Sequence, residues 1–357
     1  MAYTDIDDPS AYFQTTLYSG TGSEQSITNT GNSDLQPDWV WMKVRSNGTY
    51  GHANFDSVRG VNQFIGSNVD NSEEDQSSDV SLSAFNSDGF TVGGYFNNVN
   101  QSGQTFVSWQ WKAGTSFTND ASSTSVGSID SAGSVSTTAG FSIITYTGTG
   151  SAATVAHGLG SAPRMIIIKD RSNSRNWGVY HQSMGNLDAI YLDLTNEKGG
   201  NSSAFWNSTS PTSSVFSINT RNEVNASSAN MVAYCFAEKQ GYSKFGSYIP
   251  NANVDGAFVY TGFKPAFLII KNTSQATDWI MYDNKRDGYE PQNKEFRANT
   301  SAAERNAEDN NVQFCANGFK LRNAGTKSNA DAGNTLIYMA FAEQPFVTST
   351  GVPGTAR

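Results

Sequence analysis

Large apolar residues in this chain come in short runs, separated by stretches of Ser, Thr, Asn and Gly. The run Pro163-Arg-Met-Ile-Ile-Ile-Lys169 sets the pattern. A proline opens it, bulky apolar side chains fill it, and a lysine closes it. Pro37-Asp-Trp-Val-Trp-Met-Lys43 and Pro265-Ala-Phe-Leu-Ile-Ile-Lys271 repeat it, each with the lysine at the same distance from the proline. Consecutive β-branched and aromatic residues predict strands buried on both faces rather than amphipathic helices. Proline at strand entry removes no ladder hydrogen bond. Elsewhere apolar and polar residues alternate, as in Thr105-Phe-Val-Ser-Trp-Gln-Trp-Lys112, where residues two apart share a face.

The spacing predicts a repeat. Pro37, Pro163 and Pro265 precede Phe90, Phe216 and Phe319 by 53, 53 and 54 residues. They precede Trp111, Phe236 and Phe341 by 74, 73 and 76. Recurrence at fixed internal spacing marks copies of one structural unit. The expected fold is all-β, with three tandem β-sandwich, jelly-roll-like domains at 17–112, 141–240 and 241–346. A polar leader over 1–16 precedes them, and a polar tail over 347–357 follows. In the leader, Asp8-Pro9 is read as a turn or helix start. Residues 113–140, rich in Ser, Thr, Gly and Ala, read as a linker. The stretch Ser301–Ala307 reads as a turn or two of helix capped by Ser301.

Composition narrows the function. Charged residues make up 15%, well below the usual share of about a quarter. Aromatics at 12% argue against disorder. The net charge of −9 disfavours nucleic acid as a partner, because phosphate contacts need a basic surface. No apolar run is long enough for a membrane-spanning helix, and the start of the sequence lacks a signal-peptide pattern. The two cysteines, Cys235 and Cys315, are expected to be free and buried.

Chemistry-bearing motifs are sparse. His52, His157 and His181 have no carboxylate or cysteine at metal-ligand spacing, and turn or strand roles are expected for His157 and His181. Asp70, Glu73, Glu74, Asp75 and Asp79 form an acidic loop without the alternating, glycine-centred spacing of a calcium site. A solvated loop is the expectation. No nucleophile elbow, phosphate loop or dinucleotide fingerprint occurs. No catalytic residue, metal ligand or cofactor is assigned. Trp39, Trp41, Trp109, Trp111, Trp177 and Trp279 belong to the repeat and are expected in cores. Trp206 lies outside it and is the candidate for an exposed ligand-contact residue.

Several blocks carry a resemblance. They are Ile6-Asp-Asp-Pro-Ser-Ala-Tyr-Phe13, Gln36-Pro-Asp-Trp-Val-Trp41, Phe55-Asp-Ser-Val-Arg-Gly60, Asn86-Ser-Asp-Gly-Phe90, His157-Gly-Leu-Gly160, Gly246-Ser-Tyr248, Phe258-Val-Tyr-Thr-Gly-Phe263 and Phe341-Ala-Glu-Gln-Pro-Phe-Val347. Together they resemble repeat-built, tail fibre-like virion structural proteins of marine tailed bacteriophages. The resemblance implies a non-enzymatic structural subunit of the particle, a tail fibre or spike that contacts the host surface. A head fibre or capsid decoration protein is the alternative, and a polysaccharide depolymerase is the alternative of another class. It also implies a homotrimer. The short polar leader and the linker after the first domain predict attachment to other virion proteins through the N-terminal region, with a host surface glycan or protein as a further partner. Such a protein is made in the host cytoplasm and released in the virion by lysis.

Overall fold

A computed structural model describes residues 2–76, 80–94, 96–200, 203–325 and 327–354 of the chain. The chain is built of β-strands, and every pairing between extended strands is antiparallel. Three large sheets share one strand order. In the first, Phe13–Ser19, Thr105–Trp111, Trp39–Val44, Ala53–Asp56, Gly60–Ile65 and Glu74–Asp75 lie side by side. In the second, the same places are taken by Phe141–Thr147, Asn230–Phe236, Met165–Asp170, Gly178–His181, Asp188–Tyr191 and Gly199–Gly200. In the third they are Ser243–Tyr248, Leu336–Pro345, Phe263–Asn272, Ile280–Asp283, Lys294–Arg297 and Arg305–Asn306. We call these the opening, closing and middle strands, followed by the fourth, fifth and sixth, of units 1, 2 and 3.

Register makes the equivalence concrete. Two residues after its proline, Trp39 pairs with Trp111 and Asp56. Met165 pairs with Phe236 and His181, and Phe267 with Phe341 and Asp283. Pro37 and Pro163 stand just outside their strands. Pro265 lies inside one, where the ladder to the closing strand shifts register on both sides of it. A bulge at that point accommodates a residue with no N–H to donate.

The closing and middle strands of each large sheet are buried on both faces, which is why the middle strand is a continuous apolar run. The outer face of each sheet packs against a small sheet and forms a sandwich. The small sheets are Gln25–Ile27 with Phe90–Val92 and Leu82–Phe85, Ala153–Ala156 with Val215–Ile218, and Phe258–Tyr260 with Gly318–Leu321 and Val312–Cys315. Val40 and Met42, Ile166 and Ile168, and Leu268 and Ile270 point into these three outer cores. The alternate residues, Trp39 and Trp41, Met165 and Ile167, and Phe267 and Ile269, all enter one central core. The closing strands add Trp109, Trp111, Tyr234, Phe236, Met339 and Phe341 to it. Trp39 stacks on Trp111 of its own unit at 4.4 Å and on Tyr234 of the next at 4.5 Å.

This shared core corrects the picture of a first domain set apart by a linker. Residues 113–140 are mostly structured: Thr115–Asn119 pairs with Ser131–Ser136, which pairs in turn with Phe141–Thr147. The hairpin extends the second sheet to eight strands. Its small polar side chains suit an edge strand, and Val135 with Phe117 packs it onto the outer core of unit 2. The leader is also corrected. Ile6 and Phe13 are buried in the central core, and Phe13 already begins the opening strand. Asp8 caps a short 3-10 helix over Pro9–Ala11. Tyr3 donates to Gly262 O and Thr4 to Gln240 O, so the leader is ordered by its own chain. No helix forms at Ser301–Ala307. There the backbone of Glu304 donates to Arg45 O, and Arg305–Asn306 pairs as a strand. Ser349 in the tail bonds Asp7.

Because the inner faces of all three units close one core, they should unfold together. Trp39→Ala should cost about 3–5 kcal/mol. In denaturant, near- and far-ultraviolet circular dichroism should report one coincident transition for the wild type and the variant. Separate transitions for separate units would contradict the shared core.

Candidate functional site

The tryptophans at the repeat positions are all buried. Trp206, expected at the surface, is only 2% exposed. It ends the short helix Ser203–Trp206 lying over the second sheet, meets Tyr180 edge-on, and donates Nε1–H to Asp188 O. It fills the outer core of unit 2 and offers no platform for a ligand.

The three histidines share one arrangement. Nδ1 accepts a hydrogen bond from Trp41 Nε1 in His52, from the Leu159 amide in His157 and from the Ser183 amide in His181. The proton therefore sits on Nε2, which faces a carbonyl: Arg297 O, Thr212 O and Tyr338 O respectively. Burial pushes His157 and His181 down to about 4. Burial, aided by the Lys43 charge, holds His52 well below the usual histidine range. With both nitrogens engaged, none has a free lone pair to act as base or metal ligand. The acidic loop does not converge either. Glu73 pairs with Arg59 and Arg171, Asp75 accepts from Asn62, and Asp79 lies outside the described residues. Among the described residues, no group of three or more His, Cys, Asp or Glu side chains could hold a metal ion. Cys235 is buried, Cys315 is half-buried, and both thiols are free. No described helix is long and apolar enough to cross a membrane.

A recurring set of buried polar residues stands at three seams, where each unit meets the next in a closed cycle. Lys169 of unit 2 donates to Asp70 O of unit 1, and Lys271 of unit 3 to Thr195 O of unit 2. Lys43 of unit 1 lies 5.5 Å from the Phe296 ring of unit 3. Burial lowers Lys43 to about 7 and the other two to about 8. Trp177 Nε1–H reaches Gly66 O of unit 1, and Trp279 Nε1–H reaches Tyr191 O of unit 2. His52 stands where those tryptophans stand and reaches unit 3. Arg171 grips Glu73 with two nitrogens, as Arg45 grips Glu304.

At the end of each fourth strand sits the deepest polar group. Asp56 and Arg59 form a fully buried ion pair at 2.5 Å, and Asp283 and Arg286 another at 2.6 Å. Tyr234 of unit 2 donates to Asp56, and Trp109 of unit 1 donates to Asp283. Unit 2 has His181 and Met184 at the same two places. An ion pair this deep needs both members, because one alone leaves a desolvated charge.

The units diverge most visibly on one outer strand. In Phe258–Tyr260, Val259 points inward, while Phe258 and Tyr260 are 48% and 52% exposed. The inward residue corresponds to Ile27 and Val155, each paired with the phenylalanine of its own unit. The flanking pairs there are Ser26 with Thr28 and Thr154 with Ala156. Only unit 3 sets two exposed aromatic rings on this edge. Tyr3 joins them, its hydroxyl 3.1 Å from that of Tyr260. Ile249 and Val254, on the segment leading into the strand, are exposed as well. Sequence spacing missed this pair because Phe258 and Tyr260 flank a core residue and read as part of a buried run.

The fold and its sites define an all-β, pseudo-threefold body whose polar chemistry joins its own units. Residues 8–345 match the family model described as a domain of unknown function (DUF7483), and the chain belongs to that family. The match runs from the Asp8 cap to the end of the last closing strand, so it spans all three sandwiches. No curated protein and no solved structure matches the chain.

Two outcomes are expected. Arg59→Met, which copies unit 2, should destabilise by about 3–5 kcal/mol, and adding Asp56→His should recover part of the loss. Equal stability of the single and double variants by denaturant titration would refute the pairing argument. The second concerns acid. Between pH 6.5 and about 4 the unfolded chain binds protons at these imidazoles that the folded chain excludes, so stability falls as pH falls. Each shift to about 4 costs on the order of 3 kcal/mol at pH 4, at about 1.4 kcal/mol per unit. Asp193, raised to about 6 by burial, acts with the opposite sign. His157→Gln should flatten the fall across that window. An unchanged slope would show that His157 is not held neutral.

Proposed function

We propose that this chain is a non-enzymatic structural protein of a virus particle, a tail-fibre or spike module that meets the host surface through unit 3. One observation carries the reading: the polar groups that could do chemistry are already bonded within the body, most of them across the seams between units. All three histidines have both nitrogens bonded, and the buried lysines and Asp–Arg pairs face a neighbouring unit. Unit 3 is distinguished at the surface by the aromatic edge of Phe258 and Tyr260. Aromatic rings with polar tips suit contact with glycans or protein surfaces. The resemblance of the sequence to fibre-like virion proteins supports the same reading, which places the protein in the virion after synthesis in the host cytoplasm.

The homotrimer expected from the sequence acquires a structural condition. The seam surfaces are consumed within each chain, so copies of the whole chain have to assemble through outer faces. The internal pseudo-threefold also favours a second reading, a decoration protein seated on a capsid position of matching symmetry.

Immunogold labelling of purified particles against this protein separates these readings. Label at the tail is expected. Label over the head would favour decoration, and unlabelled particles would refute both. The double change Phe258→Ser with Tyr260→Thr should leave folding intact and reduce particle adsorption to host cells at least several-fold. Unchanged adsorption would remove unit 3 from the contact.

A further inference from the structure

The internal repeat serves as a comparison of one site with two others, and one seam differs. At the outer end of each seam, the residue after the fourth strand donates its amide to the residue after the proline. These bonds are Ser57 to Asp38 O, Gln182 to Arg164 O and Asn284 to Ala266 O, at 2.8, 2.8 and 3.0 Å. In unit 1 the side chains also join, Ser57 Oγ donating to Asp38 at 2.6 Å. In unit 2, Arg164 donates to Gln182 Oε1 at 2.7 Å, and Gln182 Nε2 reaches across to Phe245 O. Unit 3 has Ala266 at that place, which offers Asn284 no partner. The Asn284 Oδ1 atom is buried and has no hydrogen bond within the protein.

Across the same seam lies the opening strand of unit 1. Thr15 pairs with Trp109 as Phe245 pairs with Met339, so Thr15 stands where unit 3 has a buried phenylalanine. Thr15 is 4% exposed, and its hydroxyl has no hydrogen-bond partner within the protein. Three smaller residues, Ala266 for Arg164, Asn284 for Gln182 and Thr15 for Phe245, thus coincide at the seam of units 3 and 1. They line a cavity of about 170 Å³ with Phe13, Ala342 and Lys285.

The wall chemistry describes a ligand. Asn284 Oδ1 only accepts, and the Thr15 hydroxyl donates and accepts, so the ligand must bring hydroxyl donors. Phe13, Ala266 and Ala342 give an apolar wall for a ring face. The Glu343 carboxylate is paired with Lys264 at 2.9 Å, and Lys285 is exposed at the rim, so the buried part of the wall presents no unpaired charge. A closed cavity of about 150 Å³ holds benzene, so this one, open to solvent on one side, takes no more than a single ring with its substituents toward the opening. Drug-sized ligands need about 300 Å³ or more. We propose that this seam cavity binds one neutral polyhydroxylated ring, a hexose unit, through Thr15 Oγ1 and Asn284 Oδ1. The site stands apart from the exposed aromatic edge, and the inference does not depend on the virion reading.

The test uses the full chain with d-glucose and d-galactose as probes, followed by saturation-transfer NMR and calorimetry. Saturable binding of at least one sugar is expected, with a Kd on the order of millimolar. Ala266→Arg, the residue of unit 2, should fill the cavity and abolish binding while the melting temperature confirms folding. Asn284→Ala keeps the cavity open and should weaken binding about tenfold. It decides the matter if the arginine variant does not fold. Absence of saturable binding of either sugar to the wild type overturns the proposal, as does an unchanged Kd in the folded variants.

Discussion

Three apolar sheet faces turned toward one axis are the constraint on which this protein rests. A sandwich made of one large and one small sheet buries only the outer face of the large one. The inner face of each unit, carrying pairs such as Trp39 and Trp41 or Phe267 and Ile269, would lie open to water. Each unit therefore depends on the other two, in the way that a repeat unable to cover its own apolar face depends on its neighbours. Aromatic side chains suit such a centre because each removes a large apolar area from water at little entropic cost.

Closure creates a second demand. Where sheets meet, strand ends bring backbone carbonyls and amides out of water, and these need partners. The seams meet the need with long side chains reaching into the neighbouring unit: the closing lysines, the indole and imidazole N–H groups, and the Arg–Glu pairs. These contacts are directional, whereas apolar packing is not. The central core supplies most of the driving force, and the seams fix which face meets which and in what rotation.

The departures from the threefold pattern are as informative as the pattern. His181 and Met184 replace an Asp–Arg pair at one seam, which shows that the place demands a satisfied group rather than a charge. Ala266 borders a cavity, whereas its counterparts Asp38 and Arg164 carry polar side chains bonded to the residue after the fourth strand. Phe258 and Tyr260 expose rings where the other units carry small residues. Each difference changes what its unit contributes: a neutral group at His181 and Met184, open space beside Ala266, and exposed rings at Phe258 and Tyr260.

The strands were legible in the sequence because both-face burial demands uninterrupted apolar runs, and such runs are visible without knowing what covers them. The all-β class, the middle strands, the burial of the six repeat tryptophans and the equivalence of Pro37, Pro163 and Pro265 could be read from period and spacing. What covers a run could not be read that way. A strand buried against its own small sheet and one buried against another unit show the same residues. Separate domains and a shared core therefore look alike in sequence. The edge hairpin at 113–140 had the composition of a linker because edge strands tolerate small polar side chains. Trp206 looked exposed because nothing local announced the sheet beneath it. The cavity between Thr15 and Asn284 joins residues far apart in the chain, and only the closure of unit 3 onto unit 1 brings them together.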